Sequence, residues 1–271
     1  MDAARAGRSD RFMLISAERV FYAGLLGKPS LRTLGALAVC VPLYGTAQVE
    51  IAGQAPITGE ILFIPPCAHH RFLADSRTVL ALMIEPESVT DEDMAFLRQQ
   101  CLEPAAAARL AARIRSAYAT LAPGGNHGFS SNEFDEIFIG GQLKQRQLDP
   151  RIASIVAKFQ SDPSSTISGE ACAKAVKLSL SRFLHLFKEE TNMNFRTFRA
   201  WKRGRNVLHY VNVERNLAHF ALDAGYPDST HFSHSLRRIF GLQPSAIFSG
   251  SRRLRIINGS TDLPATAIMP V

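Results

Sequence analysis

Residues 214–245 read ERNLAHFALDAGYPDSTHFSHSLRRIFGLQPS, and this stretch decides the fold of the half that carries it. A short helix rich in small residues runs to a glycine, Gly225, which can take the left-handed conformation that closes a helix. Tyr226 can plug the space between two helices, and Asp228 is placed to cap the next one. That second helix has Phe232, Leu236 and Phe240 at helical spacing for burial. Its other side presents Ser229, Thr230, Ser233, His234 and Arg237.

Upstream, residues 168–190, SGEACAKAVKLSLSRFLHLFKEE, repeat the layout. A small-residue helix reaches Val176, a tight turn passes through Lys177 and Leu178, and Ser179 is an N-cap. Phe183, Leu186 and Phe187 are spaced for the core, which leaves Ser181, Arg182, Leu184, His185 and Lys188 outside. Small-residue helix, turn, capped helix and polar outer face are what a helix-turn-helix needs, because its second helix must bring short polar and basic groups to base edges in a major groove. Flanking cations neutralise phosphates and fix register. Two units in one chain suit adjacent major grooves about 34 Å apart. The helix expected between them, residues 194–212, carries Arg199, Lys202, Arg203 and Arg205, with Arg203 a phosphate contact.

Charge supports the same division. Residues 1–148 hold 14 basic and 15 acidic side chains, whereas 149–271 hold 17 and 9. The second half therefore concentrates the whole positive excess of a +7 chain, as a domain meeting a polyanion would. At 271 residues and 46% hydrophobic content the chain can build more than one core, which excludes disordered, collagen-like and disulfide-stapled classes.

The spacing of these residues resembles the AraC/XylS family of bacterial transcription regulators over about residues 149–249. Gly225, Tyr226, Phe232, Phe240, Gly241 and Pro244 fall where that family's signature has glycine, three aromatics, glycine and proline. The resemblance implies two helix-turn-helix units joined by a long helix. It assigns base-facing roles to Ser181, Arg182, Leu184 and His185, and to Ser229, Thr230, Ser233 and His234. Two positions depart from the pattern. Asn192 stands where glycine is usual, and Gly204 lies inside the linker helix, where glycine costs about 1 kcal/mol relative to alanine.

The amino-terminal half has another texture. Between residues 11 and 88, short β-branched and aromatic runs (RFMLIS, LGALAVCVPLYG, TAQVEIAG, GEILFIPP, TVLALMIEP) alternate with Gly and Pro, as in a small antiparallel barrel or sandwich. Helical periodicity follows in 91–102, 103–123 and 135–147. The fold class is therefore α+β. A cupin-like effector-binding barrel occupies 1–90, central helices with a dimerisation role occupy 91–148, a double helix-turn-helix domain occupies 149–250, and a flexible tail occupies 251–271. The stretch 41–72, with a Pro-rich turn before His69 and His70, looks like the cupin-type effector domain of such regulators.

Effector contacts are assigned to Arg5, Arg8, Arg11, His69 and His70. Arg5, Arg8 and Arg11 recur every third residue and read either as a solvated tail or as an anion-binding arm. The arm resembles that of PilZ-type cyclic di-GMP receptors, although its spacing is Arg-x-x-Arg and the family's downstream element is missing. A small-molecule effector of another class is the main expectation. Adjacent histidines on a strand point to opposite faces and lack the further ligands of a catalytic cupin, so neither a metal nor a catalytic residue is assigned. The alternative, a cupin metalloenzyme with a helical appendage, would need both. Cys40, Cys67, Cys101 and Cys172 show no Cys-x-x-Cys spacing and suit a reducing cytoplasm. No secretory signal or bilayer-length apolar stretch is visible. The expected partners are promoter DNA, a small effector, RNA polymerase and a second copy of the chain.

Overall fold

The computed structural model describes residues 11–122, 129–212, 217–250 and 254–259. The first half is built on strands β1 (Phe12–Ile15), β2 (Arg19–Leu25), β3 (Arg32–Thr33), β4 (Leu37–Pro42), β5 (Ala47–Ile51), β6 (Ile57–Gly59), β7 (Leu62–Ile64), β8 (His69–Ala74) and β9 (Thr78–Ile84). They pair as two sheets, one ordered β10-β1-β2-β9-β4-β7 and the other β3-β8-β5-β6, where β10 is Arg255–Asn258. The strand spacing leaves a barrel or a sandwich open; the described pairing is a two-sheet arrangement and shows no closed, cupin-like barrel among the described residues. β4 is buried on both faces from Leu37 to Pro42, which explains why that run reads as continuously apolar.

Helices α1 (Asp91–Leu102), α2 (Pro104–Leu121) and α3 (Ser131–Phe138) cover the larger sheet. Thr90 caps α1, Pro104 opens α2, and Ser130 with Glu133 forms a capping box on α3. The helix expected over 135–147 therefore begins earlier and stops before Gly140, whose φ of 87° no helix accommodates. Asp135 of α3 holds the buried Arg19 of β2 through two hydrogen bonds of 2.8 and 3.0 Å, which fixes the helical layer to the sheet.

The second half comprises α4 (Pro150–Ser161), α5 (Gly169–Ala175), α6 (Leu180–Thr191), α7 (Phe195–Asn206), α8 (Leu217–Asp223), α9 (Ser229–Phe240) and α10 (Pro244–Gly250). Among them α4 to α7 share an aromatic core in which Phe183, Phe187 and Phe195 meet edge-on or tilted at 5.1–5.7 Å. The core of α8 to α10 is different in kind. Phe220, Phe232, Leu236 and Ile247 pack together with Met13, Ile15 and Val20 of β1 and β2. The first unit thus owns its core, and the second borrows part of it from the sheet.

Within the tail expected to be loose, residues 255–258 form β10 on the edge of the larger sheet, while 251–253 and 260–271 lie outside the described residues. The long linker helix is also shorter than expected. α7 ends at Asn206 and passes into a 3-10 turn, Val207–Tyr210. Gly204 sits against α9, where a Cβ would lie 2.3 Å from Ile239 Cδ1, so its lack of a side chain lets the two helices approach.

Gly225 has φ 76°, and a Cβ there would stand 2.5 Å from the Ser164 carbonyl oxygen. Gly225→Ala should therefore lower stability by at least about 1–2 kcal/mol, the left-handed penalty alone, as read by chemical denaturation. An unchanged midpoint would refute this account of the turn.

Candidate nucleic-acid interface and effector cavity

In the first unit α5 leads through Lys177 (φ 56°) to Ser179, whose hydroxyl accepts from Arg182 N at 3.3 Å. In the second, α8 leads through Gly225 to Asp228, whose carboxylate accepts from Thr230 N and His231 N at 2.7 and 2.8 Å. These caps set where each second helix starts, and hence which side chains face out. Ser181, Arg182, Leu184, His185 and Lys188 are exposed on α6, as are Ser229, Thr230, His234 and Arg237 on α9. Ser233 is half-buried. Asn192 closes α6 in the left-handed conformation at φ 57°, which asparagine tolerates better than most residues. Its amide also donates to Asp91 of α1 at 2.7 Å.

The linker cations are placed otherwise than expected. Arg203 is half-buried, donates to Ser165 O at 3.3 Å and lies over the Tyr226 ring at 5.3 Å, so it bridges the loop before α5 to the turn before α9. Lys202 and Arg205 are buried against the sheet half. Glu85 accepts from Trp201 Nε1 at 3.0 and 2.9 Å and from Lys202 Nζ at 2.9 Å, and pairs with Arg205 Nε at 2.7 Å. Arg205 also donates to the Ser16 carbonyl. Glu87 lies 2.5 Å from Lys202 Nζ, but its oxygens lie outside hydrogen-bonding geometry, so it acts as a neighbouring charge. Burial pushes the Glu87 carboxyl up, against the pull of Lys202. Lys202 and Arg205 therefore bind the two halves of the chain to each other, whereas Arg199 lies over the Phe159 and Phe195 rings of the first unit.

Between the halves lies a cavity of about 310 Å³. Met13, Ala38, Ile64 and Phe72 line it from the sheets; Leu208, Phe240, Ile247 and Leu254 line it from the second unit and the tail. Its polar groups are few. Burial pushes the Cys40 thiol and the Tyr22 hydroxyl up to about 12 and the His70 imidazole down to about 4. All three are thus neutral near pH 7. Arg32 on β3 is the exception. Its Nε and Nη2 are buried with no hydrogen-bond partner among the described residues, and burial lowers its pKa.

His70 lines this cavity, its Nδ1 donating to Ala68 O at 2.9 Å, whereas His69 points outward and meets Thr33 Oγ1 at 2.5 Å. The described residues hold no group of three or more His, Cys, Asp or Glu side chains that could bind a metal. Arg11 precedes β1 at the sheet edge; Arg5 and Arg8 lie outside the described residues. Arg32 escaped sequence reasoning because nothing local marks an arginine in LRT as buried. No helix among the described residues is long and apolar enough to cross a membrane.

A helix-turn-helix domain family matches residues 172–249. The HTH-type transcriptional activator RhaS of Escherichia fergusonii is 28% identical over 103 residues, 38% of this chain and 37% of that protein, so the match spans little more than a third of that relative. The crystal structure of ToxT from Vibrio cholerae O395 superposes with a TM-score of 0.54 at 11% identity, over 86% of this chain and 96% of that one. A second ToxT structure, bound to (E)-4-(8-methylnaphthalen-1-yl)but-3-enoic acid, gives 0.50 at 10% identity over 86% and 98%. At such identities these structures speak for the fold of both halves, and the helix-turn-helix match speaks for the second. Residues 172–249 thus form a helix-turn-helix domain similar to that of RhaS, and the two halves together share the fold of ToxT.

Proposed function

We propose that the protein is a cytoplasmic, effector-responsive regulator that binds promoter DNA sequence-specifically through both helix-turn-helix units and activates transcription. The observation that carries this reading is the pair of capped helices, α6 and α9, whose outer faces stay exposed and polar while their inner faces hold the cores. Leu184, 40% exposed on α6, is suited to a thymine methyl. Recruitment of RNA polymerase and dimerisation through 91–148 belong to the same proposal, which assigns no catalytic residue.

The effector is an acid with an apolar body, its carboxylate on Arg32 and its hydrocarbon in the cavity. An unpartnered guanidinium facing an otherwise neutral, mostly apolar enclosure favours this, as does the aromatic butenoic acid held by ToxT. Cyclic di-GMP, carried by Arg5, Arg8 and Arg11, fits that wall less well because it is a polar dianion.

The test is enrichment of duplexes from a random-sequence pool by the full chain. Affinity for an enriched duplex should fall steeply with salt. Thr230→Ala and His234→Ala should each relax preference at particular base pairs by about 1–3 kcal/mol, whereas Arg237→Ala should weaken all sequences and reduce the salt slope by about one. Failure to enrich any duplex sinks the reading. The full chain is required because the second unit shares its core with β1 and β2.

A further inference from the structure

The tail strand β10 pairs in parallel with β1, from Phe12 opposite Arg255 to Ile15 opposite Asn258. Arg255 N donates to Arg11 O at 3.0 Å and Gly259 N to Ile15 O at 2.9 Å, which closes the ladder at both ends. Alternate side chains serve different cores. Ile257 is buried with Phe12 and Leu14 inside the sheet half, whereas Leu254 and Ile256 join Phe220 and Ile247 of the second unit. Arg255 lies over the Phe12 ring at 5.3 Å and donates to Leu121 O and Ala122 O at the end of α2. Asn258 Oδ1 meets His209 Nδ1, in the linker turn, at 3.1 Å. Four residues that follow α10 in sequence thus bind sheet, central helices and linker together.

We propose that β10 is an autoinhibitory strap that clamps the second helix-turn-helix unit to the sheet half and restrains it from DNA. This rests on the DNA-binding reading above. A duplex dictates how two recognition helices lie relative to each other. Here the second unit takes its position from the sheet half instead: Gly241, ending α9, lies against Ser30 with no room for a Cβ, and α9 packs beside β3. The first unit, with its own core, is under no such constraint from β10. A short strand at the edge of a sheet is also among the elements a fold opens most readily. Leu254 and Met13 line the cavity from the two sides of the strap's attachment, so an occupant bears directly on whether the strap stays paired.

Three proteins test this: the full chain, the chain ended after Gly250, and a full-length Arg255→Ala/Asn258→Ala variant that keeps Ile257. The probe is a duplex enriched from a random-sequence pool by the full chain. Both altered proteins should melt cooperatively and bind that duplex at least about fivefold more tightly than the full chain. Equal or weaker binding by the folded double variant overturns the proposal. If no duplex is enriched, the DNA-binding reading fails by itself, and hydrogen exchange decides the clamp. Strap loss should speed exchange of the Phe220 and Leu236 amides at least about tenfold, and unchanged protection refutes it.

Discussion

Glu85→Ala should destabilise the full chain by about 3–5 kcal/mol, the range for breaking a buried ion pair from one side. Glu85 is 1% exposed and is shared by three partners, Trp201, Lys202 and Arg205. Its removal leaves the indole N–H without its acceptor and two buried cations facing one carboxylate, Glu87, that is poorly oriented to hydrogen-bond. Among the described residues Arg205 keeps only the Ser16 and Arg19 carbonyls as hydrogen-bond acceptors. Because Trp201 packs on Gly35, where a Cβ would come within 2.2 Å of the indole, water cannot enter there without parting the halves. Thermal unfolding should therefore fall by roughly 10 °C, at a few degrees per kcal/mol for a chain of this size, and the two halves should begin to melt separately. Glu87→Gln should cost clearly less, since no well-formed hydrogen bond is lost. A Glu85→Ala loss below about 1 kcal/mol would show that the cluster does not hold the halves together.

That cluster also marks where sequence reasoning stops. The helix-turn-helix units are legible because their determinants are local: Ser179 and Asp228 cap the helices they precede, and Lys177 and Gly225 take positive φ in the turns just before them. Periodicity then settles which faces are buried. Lys202 and Arg205 have the composition of a phosphate-binding face, and only a partner more than a hundred residues distant in sequence turns them inward. The contacts of Arg203 are hidden for a related reason, because Ser165 and Tyr226 come from opposite sides of the linker in sequence. The strand Arg255–Asn258 is too short to show a period and exists by parallel pairing with the far end of the chain. His69 and His70 are the instructive intermediate: alternation along a strand separates them, but only the packing of the second unit over the sheets makes the face of His70 the wall of a cavity.

On the acid-effector proposal, Arg32→Met should weaken binding of an aryl-substituted butenoic acid probe by about 10- to 100-fold while leaving stability unchanged or raised. The two effects have one cause. A guanidinium whose Nε and Nη2 are buried without partners pays desolvation with no hydrogen bond in return. An incoming carboxylate supplies both the countercharge and the acceptors, and a charge-assisted hydrogen bond contributes about 1.5–3 kcal/mol. Methionine fills comparable volume without the charge, so the ligand-free protein loses a penalty and the acid loses its anchor. The neighbours cannot substitute: Tyr22 and Cys40 stay protonated and His70 stays neutral at pH 7, so among the described residues Arg32 is the one charge on the cavity wall. The primary alcohol of the same skeleton separates charge from shape. It should bind more weakly than the acid to the unaltered protein and about equally to Arg32→Met. Calorimetric titration and thermal melts of the two proteins decide the matter. Undiminished acid binding by Arg32→Met would move the anion elsewhere and leave the buried guanidinium without a role, whereas weaker binding accompanied by a lower melting point would mean that Arg32 supports the fold.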